Sequence, residues 1–139
     1  MSNTEQHIES NHSSFKDIMP LSFGEEVGNT VTHGFASFCT MVILPYAAVH
    51  SFNKHGALLS TSISIFVISL FLMFISSTVY HAMANHTVQK YVLRIIDHSM
   101  IYVAISGTYT PILLNVVGGW LGWTVFILLW GTTVWGILY

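Results

Sequence analysis

The side chains of this sequence that could do chemistry lie at the edges of long apolar runs. Asp97 and His98 stand side by side where the third run begins, and His81 follows the second run. Imidazole and carboxylate groups bind metal ions and transfer protons. Because an unpaired ionisable group is costly in hydrocarbon, such residues in or beside membrane helices are candidates for a functional site.

Further polar residues recur near these edges at helical spacing. Glu26, Asn29 and His33 are spaced i, i+3 and i+7, so they lie on one face of the helix that enters the first run. Ser77 and His81 are four residues apart and also share a face. Each has a simpler interpretation: Glu26 as the polar start of a helix at the membrane surface, Ser77 as a small packing residue, and His81 as an interfacial histidine.

The composition excludes an ordinary soluble domain. Hydrophobic residues make up 53% of the 139 residues and charged residues 7%, whereas about 25% are charged in a soluble domain. The sequence therefore predicts an integral membrane protein. Lys and Arg number only 4, so no basic patch is available for nucleic acid and none is expected as a partner.

Four apolar segments are long enough to cross a bilayer, which takes about 20 helical residues. We expect an all-α, polytopic transmembrane helix bundle with spans near 31–52, 57–80, 94–114 and 120–139. Residues 1–22 are expected to form a flexible cytoplasmic tail, and residues 23–139 the transmembrane domain. Pro111 is expected to stop the helical run near the end of the third span, and residues 115–119 to form a turn.

The few cations predict the orientation. With four spans, Lys16, Lys90 and Arg94 fall on one side of the membrane and Lys54 on the other. Cytoplasmic loops carry the excess of Lys and Arg, so we expect a cytoplasmic N-terminus in the cell membrane.

This topology brings the ionisable residues to one depth. His33 lies near the start of the first span, His81 at the end of the second and Asp97 at the start of the third. Antiparallel neighbours would place all three toward the cytoplasmic face.

Three kinds of site are compatible with such a cluster. A zinc ion held by three protein ligands can activate water for attack on an ester or amide carbonyl. A proton relay and a structural polar network would use the same residue types. The sequence contains no Cys-x-x-Cys or His-Glu-x-x-His motif that decides among them.

Together these patches resemble the hemolysin III family, within the progestin and adipoQ receptor (PAQR) superfamily. The resemblance covers Glu25 to Tyr139, and its motifs are Glu26-x-x-Asn29-x-x-x-His33-Gly34, Ser77-x-x-x-His81, and Asp97-His98-Ser99 followed by Gly107-Thr108-Tyr109-Thr110-Pro111.

The resemblance implies a seven-helix membrane fold with a zinc site near the cytoplasmic face. It implies that His81 is a zinc ligand, that Asp97 holds the zinc-bound water and that Ser77 lies beside the site. The supporting polar cluster would comprise Glu26, Asn29, His33 and His98. The relatives' two further zinc ligands form a His-x-x-x-His motif on the last helix. That motif is absent from these 139 residues, so we expect a chain truncated after the fourth span, or a fragment, that carries part of the site.

By resemblance, the expected function is that of an integral membrane protein of the hemolysin III type, with a cytolytic or membrane-homeostasis role. The alternative is a zinc-dependent membrane hydrolase of lipid amide or ester bonds. Membrane lipids are the expected partners, and self-association is expected of a truncated chain.

Overall fold

The computed structural model describes residues 21–84 and 87–139. In chain order the elements are α1 (Phe23–His55), α2 (Ala57–Ala82), α3 (Val88–Pro111), the π-helical segment π1 (Ile112–Val117) and α4 (Gly119–Leu138). Four of the described segments are long and apolar enough to cross a membrane, the third being α3 together with π1. The predicted all-α transmembrane bundle is confirmed. The predicted tail lies outside the described residues, except for Leu21 and Ser22.

Caps and glycines set the ends of the first two helices. Ser22 caps α1: its hydroxyl accepts from the Glu25 backbone N–H at 3.4 Å, and its own N–H donates to the Glu25 carboxylate at 2.7 Å. This reciprocal pair is a capping box. Gly56 alone separates α1 from α2, with a φ of +80° that favours glycine. The tight connection makes the two helices antiparallel neighbours.

The third helix begins earlier than the sequence predicts. It starts at Val88 rather than Arg94, because the Thr87 hydroxyl caps it by accepting from the Lys90 backbone N–H at 3.2 Å. Lys90, predicted to lie in a connection, is therefore in the first turn of α3. The first helix likewise starts at Phe23, well before the predicted span.

The prediction that Pro111 stops the helical run was wrong in part. The α-helix ends there, but the chain continues as π1, so the predicted turn is confined to Gly118 and Gly119, whose φ values are +61° and +56°. Proline removes only its own N–H, and its carbonyl still accepts from Asn115 Nδ2 at 3.1 Å. The same amide donates to Ser62 Oγ at 2.7 Å, which ties π1 to α2.

Large apolar side chains cover the outside of the bundle, and small or hydroxyl residues fill much of its inside. α1 packs on α2, α2 also packs on α3, and α4 packs on α3. Gly107 lies so close to Ser69 that no side chain fits between α2 and α3 there. Small residues permit this close approach in lipid, where apolar burial does not drive helices together.

The contact between α3 and α4 is lined by buried hydroxyl groups, here called the hydroxyl interface. Ser106 Oγ bonds to Thr133 Oγ1 across it, and Trp130 Nε1 donates to Thr110 Oγ1 at 3.2 Å. Ser106 and Thr110 are fully buried.

Candidate functional site

Glu26 is the centre of a group of ionisable side chains at one end of the bundle. It lies in the first turns of α1, which the capping box starts at Phe23, and it is only 8% exposed. Its carboxylate bridges two other helices: Oε2 is 2.6 Å from His81 Nδ1 at the end of α2, and Oε1 accepts from Lys90 Nζ at 2.6 Å. A buried charge needs such partners.

Lys90 is held by more than the carboxylate. Its Nζ also donates to the Met83 carbonyl oxygen at 3.1 Å and lies 5.1 Å from the centre of the Tyr80 ring. A cation over an aromatic face is attracted by the negative face of the ring. The Lys90 side chain is 11% exposed, so its ammonium group is largely enclosed by α1, α2 and Met83 just after α2.

The contact with Glu26 defines the hydrogen-bonding state of His81. An ionised carboxylate only accepts hydrogen bonds, so His81 Nδ1 carries the hydrogen and donates it. In the neutral imidazole, Nε2 is then left with a lone pair. Histidines that bind metals usually donate their other ring N–H to a carboxylate, carbonyl or water in this way.

A second pair lies next to the first. His33 Nδ1 is 2.6 Å from Ser77 Oγ, and the centroids of the His33 and His81 rings are 6.2 Å apart. Ser77 is 4% exposed. Ser77 and His81 lie on one face of α2, as their spacing predicts. This face is turned to α1, where Ser77 contacts His33 and His81 contacts Glu26. The five residues in contact, here called the end cluster, are Glu26, His33, Ser77, His81 and Lys90.

Asp97 lies at the same depth but outside the hydrogen bonds of the end cluster. Because α2 and α3 are antiparallel and Gly107 faces Ser69, Asp97 is level with Val79, between Ser77 and His81 along α2. Its side chain is 15% exposed, and its nearest ionic contact within the described ranges is with His98 Nδ1 at 3.9 Å.

The two remaining candidates are peripheral. The His98 side chain is 61% exposed, and its Nδ1 donates to the Arg94 carbonyl oxygen at 2.8 Å. Asn29 is half-buried, and within residues 21–84 and 87–139 its side chain makes no hydrogen bond. The structure thus joins Glu26, His33, Ser77 and His81, and leaves Asp97, His98 and Asn29 around them.

A cavity of about 340 Å³ borders the charged part of the end cluster. Glu26, His81 and Lys90 form its polar wall. Its remaining lining is mainly apolar and comes from α1 and the end of α2: Phe23, Val27, Thr30, Val31, Ala82, Met83 and Ala84. The cavity is therefore amphipathic and lies at the end of two membrane helices.

Comparison with known proteins identifies the family. The family model described as "Haemolysin-III related" matches residues 21–139. The chain belongs to this family. The curated relatives of this family member include the hemolysin-3 homolog of Bacillus subtilis (strain 168), 38% identical over 83% of this chain and 54% of the relative. They also include the hemolysin-3 of Bacillus cereus, 36% identical over 83% of this chain and 52% of the relative.

The predicted resemblance to the hemolysin III family is thereby confirmed. The chain spans about half the length of these haemolysin-III relatives. No solved structure matches it significantly.

The end cluster of this haemolysin-III member provides one side chain suited to bind a metal ion, but not the three that a complete zinc site needs. His81 has the carboxylate-bound Nδ1 that metal-binding histidines have. Zinc, however, takes at least three protein ligands, and no group of three His, Cys, Asp or Glu residues converges in the part of the chain that the structure describes.

The sequence motifs do not indicate a role for Lys90, because it belongs to none of them. Hydropathy also places it in a connection between spans, where a lysine is expected to be solvated. Its position seven residues before Asp97 is one usable signal, because residues i and i+7 fall on the same face of a helix that begins at Val88.

Proposed function

We propose that this protein acts on the membrane that contains it, in a cytolytic or membrane-homeostasis role. The observation that carries the proposal is the identity of 36–38% to two proteins named as hemolysin-3 or its homolog. The amphipathic cavity beside the end cluster supports it, because it offers a polar wall to a lipid headgroup and an apolar wall to an acyl chain. Since the chain spans about half of those relatives, the activity of the whole protein is part of the proposal.

Marker release tests the cytolytic form of this role. The purified protein would be inserted into phospholipid vesicles loaded with a self-quenched dye, and release would be followed by fluorescence at several protein-to-lipid ratios. We expect release that grows with inserted protein. Protein that is folded and inserted but releases no dye would contradict a cytolytic role. A homeostatic role predicts instead that deletion of the gene changes membrane order, measured with a polarity-sensitive lipid dye, and that the expressed protein restores it.

A specific contact favours a second candidate function, a zinc-dependent hydrolase of lipid amide or ester bonds. Glu26 holds His81 Nδ1 at 2.6 Å, which leaves Nε2 as the atom that would bind zinc. The other ligands would come from outside the described residues. When bound, zinc supplies a Lewis acid for attack on a carbonyl group.

In this second function, the other candidate residues would each have a separate role. Asp97, level with the end cluster, would orient the attacking water. Ser77, bonded to His33, would lie beside the scissile group. Asn29 and His98, at the periphery, would support the polar surroundings of the cluster.

The variant Asp97→Asn separates zinc binding from hydrolysis. The amide keeps the shape of the carboxylate but removes its charge, so we expect most of the zinc to stay bound and hydrolysis of a lipid amide or ester to be lost. The measurement is zinc per protein by plasma emission spectrometry, with product release by mass spectrometry. A variant that hydrolyses at the parental rate would exclude Asp97 from the reaction.

The orientation of the protein is also part of the proposal. Lys90 and Arg94 lie at the end of α3 that carries the end cluster, and Lys54 lies at the opposite end of α1; Lys16 falls outside the described residues. We propose that the end cluster faces the cytoplasm in the cell membrane. Single cysteines at Gln89 and Asn53 test this with a membrane-impermeant maleimide: only the cysteine at Asn53 should label in intact cells. Labelling of both positions from outside would contradict the four-span topology.

A further inference from the structure

Lys90 is the member of the end cluster that lies in none of the sequence motifs and has no part in the proposed zinc-dependent hydrolysis. Its Nζ contacts Glu26 Oε1, the Met83 carbonyl oxygen and the Tyr80 ring. These three contacts come from α1, from α2 and from Met83 just after α2, and together they hold the ammonium group. Tyr80 and Met83 flank His81 in sequence at the end of α2, so Lys90 is held at the same end of α2 that carries His81.

We propose that Lys90 is a positioning residue for His81. By holding Oε1 of the Glu26 carboxylate, it presents Oε2 to His81 Nδ1 and so keeps His81 in the tautomer with hydrogen on Nδ1 and a lone pair on Nε2. This inference rests on the second candidate function, in which His81 Nε2 binds zinc.

Each oxygen of the Glu26 carboxylate has its own partner. Oε1 lies 2.6 Å from Lys90 Nζ, and Oε2 lies 2.6 Å from His81 Nδ1. A carboxylate with only one partner can turn about its terminal bond, since that torsion is broad. The second partner removes this freedom, so the direction of Oε2 depends on the lysine although the lysine does not touch the imidazole.

The tautomer decides what His81 can do. A neutral imidazole has one N–H and one lone pair, and the hydrogen bond made by one nitrogen sets the state of the other. With hydrogen on Nε2, the nitrogen available for a metal would be a donor without a lone pair. Lys90 therefore acts on the metal-binding atom through Glu26.

A purely structural role for Lys90 would be a cross-link between α1 and the start of α3. Loss of that cross-link and loss of positioning both lower thermal stability. Only loss of positioning changes the tautomer of His81, so the tautomer is the observable that distinguishes them.

The test is ¹⁵N NMR of the metal-free 139-residue chain, labelled at histidine, in lipid nanodiscs and at a pH where the histidines are neutral. His81 is identified by the signals lost in His81→Asn. The parent should show a protonated Nδ1 and an unprotonated Nε2. Lys90→Met should yield a substantial population with the hydrogen on Nε2. Lys90→Arg should restore the parental pattern, because the guanidinium group can also hold Oε1. The control Lys54→Met removes an exposed cation at the other end of α1 and should change nothing.

Two results would overturn the inference. The first is a spectrum of the parent chain in which His81 carries its hydrogen on Nε2. The second is a folded Lys90→Met chain in which His81 keeps the parental tautomer. If Lys90→Met fails to fold, Lys90→Gln takes its place with the same expectation.

Zinc affinity, measured by competition with a chromophoric chelator on the longest natural form of the protein, separates this inference from the proposed function. If the parent binds zinc, Lys90→Met should weaken binding by about 10–100-fold, as changes to the surroundings of a ligand typically do. If the tautomer responds to Lys90 but the parent binds no zinc, the hydrolase proposal fails and the positioning of His81 stands. If zinc binds equally to both forms and the tautomer does not change, the positioning role fails alone.

Discussion

The end cluster and the hydroxyl interface are both polar regions inside a membrane bundle, but they satisfy their polar groups differently. At the hydroxyl interface most groups bond locally: Thr110 Oγ1 donates to the Ser106 carbonyl at 2.8 Å, and Thr133 Oγ1 to the Leu129 carbonyl at 3.0 Å. In the end cluster each close contact joins different helices, 44 to 64 residues apart in sequence. The hydroxyl interface is neutral, whereas the end cluster contains the charged side chains of Glu26 and Lys90.

The difference shows that polarity inside a bundle is not by itself a sign of function. Hydroxyl groups that bond to their own helix add little cost in lipid and allow close packing. Charged groups would be expensive there, and the end cluster keeps them at a helix end, bridged by Glu26 and bordered by a cavity. Because the end cluster combines charge, contacts between helices and an adjacent cavity, we propose it as the functional region.

The largest expected difference between the two regions is in zinc binding. His81→Ala removes the histidine of the end cluster that Glu26 orients through Nδ1, so the longest natural form should lose most of its zinc. Loss of one of three ligands should cost more than the about 10–100-fold typical of surrounding residues. Ser51→Ala, at the other end of the bundle, is the control and should bind zinc as the parent does. If His81→Ala retains full zinc, the end cluster is a hydrogen-bond network like the hydroxyl interface.

Stability should also respond most strongly at the end cluster. Glu26→Ala leaves Lys90 without its carboxylate, and breaking a buried ion pair by removing one partner costs roughly 3–5 kcal/mol. Thermal unfolding in nanodiscs measures the effect. A double-mutant cycle with Lys90→Ala should be strongly non-additive. Additive losses would mean that the two side chains do not interact.

A smaller loss of stability is expected where α2 packs on α3, beside the hydroxyl interface. An alanine at Gly107 would collide with Ser69, so Gly107→Ala should destabilise the bundle by about 1–3 kcal/mol through overpacking. Gly131→Ala is the matched control, because no atom beyond its chain neighbours and its own helix backbone lies within 4 Å of a Cβ added there, and it should be neutral or slightly stabilising. Equal effects at both glycines would contradict the close approach of α2 and α3.

The smallest effect is expected from the hydrogen bond between Ser106 and Thr133. Thr133→Val keeps the shape and removes the hydroxyl group. Hydrogen bonds between membrane helices average about 0.6 kcal/mol, so thermal unfolding should shift only slightly. A loss as large as that of Glu26→Ala would show that the hydroxyl interface is as strongly coupled as the end cluster.

The sequence was sufficient for the fold and for much of the end cluster. Apolar runs of membrane length determine four spans, and helical spacing places Glu26 with His33 and Ser77 with His81. The pairing within the cluster could not be predicted, because it depends on the rotation of α1 against α2. Lys90 could not be recognised, because its role depends on the cap at Thr87, which starts α3 at Val88, six residues before the start at Arg94 that hydropathy suggests. The continuation of the helix past Pro111 depends on Asn115 reaching Ser62 on another helix.

The central claim is that the end cluster, and not the hydroxyl interface, carries the function. Marker release from phospholipid vesicles by equal amounts of inserted parent, His81→Asn and Thr133→Val protein tests it most directly. We predict release near background for His81→Asn and close to the parental rate for Thr133→Val. Parental release by His81→Asn, with Thr133→Val inactive, would contradict the claim.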